Sequence, residues 1–246
     1  MVEPVPGKQS IRMRRISLML ALSLVAHASG CNSSSGPEYP LRYDFLLSTE
    51  MLTSWSFGSS DYQAEQEAAM EVVIDKRELP VESGSAFYHA GTNLSDDLWI
   101  WFARRMDALE PGRTYRLGFQ VEYVTSYHAD CIGTGELVLI KAGASEQQPA
   151  RVLTGDGSWR MNVDKGEQFE SGEDAVILSD IRNDLPECPA EPLFGRGSSG
   201  PGDGTVEVVA DANGGFWIFF GTESAFETRH EIYFTRFELL VTPLAD

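Results

Sequence analysis

The stretch "SDDLWIWFARR" puts Asp96 and Asp97 directly before Trp99 and Trp101. At a period of two, Trp99, Trp101 and Ala103 share one strand face, while Leu98, Ile100 and Phe102 share the other. An indole offers a flat apolar surface for the C–H face of a sugar ring, and a neighbouring carboxylate accepts hydrogen bonds from hydroxyls. The same residues also suit a central strand with both faces covered and its indole N–H groups bonded to backbone. A strand that is apolar on both faces must have its second face covered or used.

A second constellation is "GSWRMNVDKGEQ", in which Trp159, Met161 and Val163 alternate with Arg160, Asn162 and Asp164, followed by Lys165 and Gln168. A guanidinium fork, an amide and a carboxylate in one row can read several hydroxyls in a fixed geometry. The competing reading is a solvated strand face carrying an internal Arg–Asp pair, which contributes little. The candidate ligand-binding residues are thus Trp99, Trp101, Asp96, Asp97, Arg160, Asn162, Asp164 and Lys165.

Bond-making chemistry has less support. There is no G-x-S-x-G elbow, no H-E-x-x-H helix and no phosphate-binding glycine loop. His89, His128 and His230 are scattered. Glu223 and Glu227 in "GTESAFE" are the strongest candidates for a carboxylate pair, against a background of abundant surface acids. No catalytic residue is assigned and no cofactor is expected, although a structural calcium has two candidate sites. These are Asp211 and Asn213 in "ADANGG", and Glu170, Glu173 and Asp174 in "ESGED". Neither completes an EF-hand loop, and a hairpin turn explains the first better.

The elements that must position these residues read as strands nearly throughout. In "TYRLGFQVEYV", Tyr115, Leu117, Phe119, Val121 and Tyr123 form one face, with Arg116, Gln120 and Glu122 on the other. Pro111-Gly112 marks a turn before it. "VEVVADANGGFWIFFG" reads as a hairpin, and "GELVLIKAG", "SWRMNVD", "DAVILSDI" and "EIYFTRFELLV" as further strands. "EQEAAMEVVIDKREL" suits a helical turn at Ala64 to Met70 before a strand. "FGRGSSGPGDG" reads as a surface excursion with no packing residue beyond Phe194. About nine short strands with little helix predict an all-β fold, an antiparallel β-sandwich.

"DALEPGRTYRLGFQVEYV" resembles the strand–turn–strand of galactose-binding-like jelly rolls. That resemblance implies a jelly-roll β-sandwich of a kind that commonly binds sugars and often carries calcium. The stretch from "NLSDDLWIWF" through "IKAGAS", "RMNVDKGEQ" and "GTESAFE" is similar to a group of uncharacterised secreted bacterial proteins, which brings no activity with it.

The N-terminal 30 residues read as a targeting segment, with a basic Met13-Arg14-Arg15 and an apolar run from Ile16 to Val25 too short to span a membrane. "AHASGC" resembles a bacterial lipobox in which Cys31 would be lipidated. It departs from that pattern at Ala28, where an aliphatic residue is usual. Ordinary cleavage after Ala28 is the rival reading. Lipidation of Cys31 leaves an even pair, Cys131 and Cys188, which is expected to form a disulfide. A metal site at His128, Asp130 and Cys131 is the alternative, with no C-x-x-C partner to complete it.

The resulting organisation is a signal segment at 1–30, a flexible polar tether at 31–40 and one sandwich domain at 41–246. Asn32 after the lipid cysteine resembles the pattern directed to the outer membrane. The expected location is extracytoplasmic, lipid-anchored at the outer membrane or cell surface. Loss of the first 30 residues removes four basic and one acidic residue, moving the formal charge from −18 to −21. A body so acidic repels phosphate backbones, so the expected partners are the membrane through the lipid, and a polysaccharide or envelope protein, but not nucleic acid.

Overall fold

The computed structural model describes residues 39–200 and 204–245. The targeting segment, Cys31 and most of the tether lie outside the described residues, as do residues 201–203 of the glycine-rich stretch. Among the described residues no helix is long and apolar enough to cross a membrane.

Among the described residues fifteen strands occur in chain order: β1 (Leu41–Leu46), β2 (Ser56–Ser60), β3 (Tyr62–Gln63), β4 (Val73–Glu78), β5 (Ser85–Thr92), β6 (Leu98–Met106), β7 (Thr114–Thr125), β8 (Val138–Ser145), β9 (Arg151–Leu153), β10 (Ser158–Met161), β11 (Ala175–Asp180), β12 (Gly195–Ser198), β13 (Thr205–Val209), β14 (Phe216–Ser224) and β15 (Arg229–Pro243). One sheet runs β12-β7-β15-β5-β4, with β13 also on β7 and β1 also on β15. The other runs β11-β8-β14-β6-β2, and every strand pairing is antiparallel. Because β5 and β7 flank β15 while β6 and β8 flank β14, the chain crosses repeatedly between sheets as a rolled antiparallel ribbon. The fold is an antiparallel β-sandwich, as the alternation predicts, of the jelly-roll kind that the resemblance implies. The strand number exceeds nine because pieces as short as β3, β9 and β12 hold too few residues to display a period.

The inward side chains of both sheets form the main core, including Phe87, Phe102, Leu117, Phe119, Val121, Phe220, Phe234 and Phe237. On β15 the inward set shifts from Ile232 and Phe234 to Phe237, Leu239 and Val241. A bulge between Phe234 and Arg236 inserts the extra residue that allows this.

Two expectations are corrected. "VEVVADANGGFWIFF" is not a hairpin: β13 pairs with β7 in the first sheet and β14 with β6 and β8 in the second. Asp211 accepts the N–H groups of Asn213 and Gly215 and binds Arg105 at 2.6 Å, and Gly214 adopts φ 74° against the carbonyl of Leu109. That turn carries the chain across the sandwich rather than back along one sheet. "FGRGSSG" is not merely an excursion, since Gly195–Ser198 pairs with β7. Gly197 lies against the Tyr123 ring, where any Cβ would come within 2.4 Å, so the strand could form only from residues that look like loop.

Cys131 and Cys188 form a disulfide, tying the loop before a short helix (Thr134–Leu137) to the loop before β12. The alternative metal site at His128, Asp130 and Cys131 is excluded by this bond and by His128, whose ring nitrogens face the carbonyls of Glu187 and Leu193 at 2.6 and 2.8 Å.

Candidate functional site

The outward face of the second sheet carries Trp99, Trp101 and Ala103 from β6, Phe219 from β14, and Lys141 from β8. A third sheet, β3-β10-β9, packs against β2, and the chain beyond it, residues 162–174, lies over that outward face. Val163 of this cover and Met161 at the end of β10 pack into one apolar cluster with the two tryptophans. Trp99 is 0% and Trp101 3% exposed, so neither indole is open to a ligand, and the stacking platform expected there is corrected to a second, outer core. The cover has few apolar residues, which is why its packing does not show in the sequence. The indole N–H groups are not bonded to backbone either: among the described residues neither finds an acceptor.

The polar row from Arg160 to Asp164 also divides. The strand ends at Met161, so Asn162 and Asp164 lie in a bend. Asn162 takes the N–H of Ala150 on its Oδ1 and donates its amide to the carbonyl of Gln148, at 2.8 and 3.0 Å. Asp164 accepts the N–H groups of Gly166 and Glu173, each at 3.0 Å, which holds its carboxyl below the usual carboxylate range. Both side chains are occupied in shaping the cover.

Arg160 differs. Its Nη1 bonds Asp97 at 3.1 Å and Asp61 at 3.2 Å, so its partner is not Asp164. Among the described residues its Nε and Nη2 have no protein acceptor, and the side chain is 45% exposed. Asp61, at φ 68° in the link between β2 and β3, also accepts from Ser60 Oγ at 2.8 Å. Behind these, Lys165 pairs with Glu223 and lies 3.7 Å from Asp61, while Lys141 pairs with the other oxygen of Glu223. Three cations and three carboxylates thus alternate from the buried Lys141 out to Arg160.

Electrostatics follow from burial. Desolvation pushes Asp97 up to about 7, opposed by the charge of Lys165 and reinforced by the nearby carboxylates of Glu223 and Asp61. One Asp97 oxygen is buried and has no partner among the described residues. Burial opposes the charge on Lys165, but Asp61, Glu223 and Asp97 together outweigh it and raise its pKa. Burial lowers that of Lys141 despite Glu223. The Lys141 ammonium also donates to the carbonyls of Lys165, Glu167 and Glu170 at 3.2, 2.9 and 2.9 Å.

Over this network opens a cleft of about 680 Å³, walled by Asp61, Asp97, Arg160, Lys165 and the 166–173 turn. The structure therefore brings together Asp97, Arg160, Asp164 and Lys165 from the expected set, with the Asp164 carboxylate taken up by backbone N–H groups, and adds Asp61 together with Lys141 and Glu223 behind it. Asp61 escaped sequence reasoning because "SSDYQ" resembles any turn, and Lys141 because a lone lysine in "VLIKAG" reads as solvent-facing. Asp96 is exposed, and its carbonyl accepts from Gln168. Of the carboxylates considered for catalysis, Glu223 is buried beneath the cleft and Glu227 lies exposed in the β14–β15 link. Neither proposed calcium site forms: Asp211 is consumed by its turn and Arg105, Asp174 accepts the N–H of Asp164, and no group of three or more His, Cys, Asp or Glu able to hold a metal occurs among the described residues.

No family model matches the chain, and no curated protein does. Among solved structures it is similar to the CBM22-1 xylan-binding domain of Xyn10C from Paenibacillus barcinonensis, at 9% identity and TM-score 0.37, covering 85% of this chain and 100% of that one. It is also similar to a putative sugar binding protein from Bacteroides thetaiotaomicron, at 8% identity and TM-score 0.38, covering 79% and 91%. A third is the enzymatically active domain of tailspike protein 4 of bacteriophage CBA120, at 10% identity and TM-score 0.32, where 79% of this chain spans 20% of the other's length. Likeness at this level places no ligand and no residue role on the chain.

Proposed function

We propose that this protein is a carbohydrate-binding module of the cell envelope, held to a membrane by lipid on Cys31. The anchor and the extracytoplasmic location are supported by the basic and apolar leader, the "AHASGC" motif and the polar tether, and by an otherwise odd cysteine count. The observation that carries the glycan reading is Arg160. Two carboxylates hold its Nη1, while its Nε and Nη2 have no acceptor among the described residues and the half-exposed side chain lines the cleft. A pre-set planar donor pair is suited to adjacent ring hydroxyls, and holding it in place beforehand removes the ordering cost of binding. The exposed acids Glu167, Glu170 and Glu173, which line the cleft and have no ion-pair partner among the described residues, favour neutral over anionic sugars.

A glycan array tests this, with Arg160→Lys as the control. The lysine keeps the charge beside Asp61 and Asp97 but loses the fork, so captured glycans should be lost while the thermal midpoint holds. A folded wild-type protein that captures nothing overturns the reading.

One observation favours a second reading, glycan hydrolysis. Burial raises the Asp97 pKa to about 7, the direction a general acid needs, and a second carboxylate, Asp61, is held by the same guanidinium nitrogen. Release of reducing ends from a bound glycan, lost in Asp97→Asn, is its test.

A further inference from the structure

With Trp99 and Trp101 buried, the cleft needs its apolar contact from elsewhere. Beside it lies a second cavity of about 460 Å³, walled by Ser95, Asp96, Gln168 and Phe169, and sharing Asp97, Glu167 and Glu170 with the first. Phe169 is 54% exposed. It sits at the tip of a turn closed by the Glu170 N–H on the Glu167 carbonyl at 2.8 Å.

An exposed phenylalanine on a loose loop would mean little, but this loop is not loose. The buried ammonium of Lys141 binds the carbonyls of Glu167 and Glu170, one on each side of Phe169. Gln168 ties the same turn to the Asp96 carbonyl. The backbone is thus clamped from beneath at both flanks while the ring is left outside, although burying it would have been favourable by roughly 1.5–3 kcal/mol. A rigid tip carrying an aromatic ring next to hydroxyl-accepting carboxylates is the arrangement a pre-organised recognition surface requires.

From this we infer that Phe169 is the stacking platform of a second subsite. One sugar engages Arg160 and Asp97 in the larger cavity, and the next packs its C–H face on Phe169 while Asp96 and Asp97 accept its hydroxyls. The inference rests on the glycan reading above and makes the ligand a chain of at least two sugars rather than a monosaccharide.

The experiment is titration calorimetry of the full chain with cellohexaose, xylohexaose, mannohexaose and chitohexaose, and with the monosaccharide of each. Phe169→Ala should weaken the best hexasaccharide roughly tenfold or more, the loss of one stacked ring. Phe169→Trp should retain binding, and neither change should move the thermal midpoint, because the ring is exposed. The monosaccharide should bind far more weakly than the hexasaccharide, with no dependence on Phe169. If Arg160→Lys abolishes hexasaccharide binding while Phe169→Ala leaves it unchanged, the platform is wrong and the glycan site stands. If wild type binds none of the four sugars, both fall together.

Discussion

Lys141 and Glu223 form an ion pair with both side chains wholly removed from solvent, on the face of the second sheet that points away from the sandwich core. Lys141 lies opposite Gly221 in the β8–β14 ladder, so Glu223, two residues on, is its diagonal neighbour on the same face. The ammonium also holds three carbonyls of the cover. Removing it leaves a buried carboxylate short of one partner and three acceptors unmet.

Lys141→Met is therefore expected to destabilise by about 3–5 kcal/mol, the usual result of breaking one side of a buried pair. Lys141→Met with Glu223→Gln should lose less than the sum of the two single changes. Urea unfolding of the four proteins in this cycle measures the coupling, and strict additivity would show that the pair does not act as a unit. Hydrogen exchange should quicken in 165–170 in the Met variant before it does in β15.

Asp97 makes stability depend on pH in the direction opposite to most carboxylates. Its folded pKa is raised to about 7 from an ordinary 3.8, first by burial. A raised pKa means that the folded state prefers the protonated form, so stability is fully present below 3.8 and is lost as pH climbs through 7. Asp97→Asn removes this slope. Midpoints in urea measured from pH 4 to 8 should fall less in the variant than in wild type, and parallel curves would contradict the assignment.

The buried histidines act in the same window with the reverse sign. Thr222 Oγ1 lies 3.2 Å from His89 Nε2 and 3.1 Å from His230 Nε2, and neither Nδ1 has a partner among the described residues. Burial lowers His230 to about 4, assisted by Arg229, and lowers His89 well below its usual value, assisted by His230. Their neutral forms support the fold above 6.5, and that support is lost as pH falls toward 4. Both rings thus contribute to the loss of stability on the acid side, above the range in which carboxylates with lowered pKa values, such as Asp164, add to it. His230→Gln should lower stability at pH 7 yet flatten the decline between pH 6.5 and 4, as read by thermal midpoint.

The opposition of these slopes shows what was legible in the chain and what was not. Alternation in Tyr115 to Tyr123 gives the inner face of β7 directly, because one side of that strand meets the core and the other is largely polar. Alternation also separates Trp99, Trp101 and Ala103 from Leu98, Ile100 and Phe102 on β6, and the structure turns the first set outward. What it cannot supply is that "outward" there means under residues 162–174, a cover held by Asn162, Asp164 and Lys141 rather than by an apolar stripe. The site was half visible for the same reason. Arg160 and Asp97 stood out by type, while their partner Asp61 lies 36 residues before Asp97 in an undistinguished turn. Charge pairs across such separations leave no periodic trace.

The disulfide should act on the unfolded chain as much as on the native one. Cys131 and Cys188 are 57 residues apart, and closing such a loop contributes about 4 kcal/mol in the chain-entropy model. Non-covalent bonds already join the same segments: His128 to the Glu187 and Leu193 carbonyls, and Asn183 Nδ2 to the Thr125 carbonyl at 2.9 Å. The double change Cys131→Ser, Cys188→Ser is therefore expected to leave these loops native-like, with unaltered near-ultraviolet dichroism, while the urea midpoint drops. The freed denatured chain expands and exposes more surface, so the dependence of unfolding free energy on urea should steepen. A fall in midpoint with a shallower slope would instead mean that the native loops had come apart, and that the bond had been holding structure the hydrogen bonds alone cannot keep.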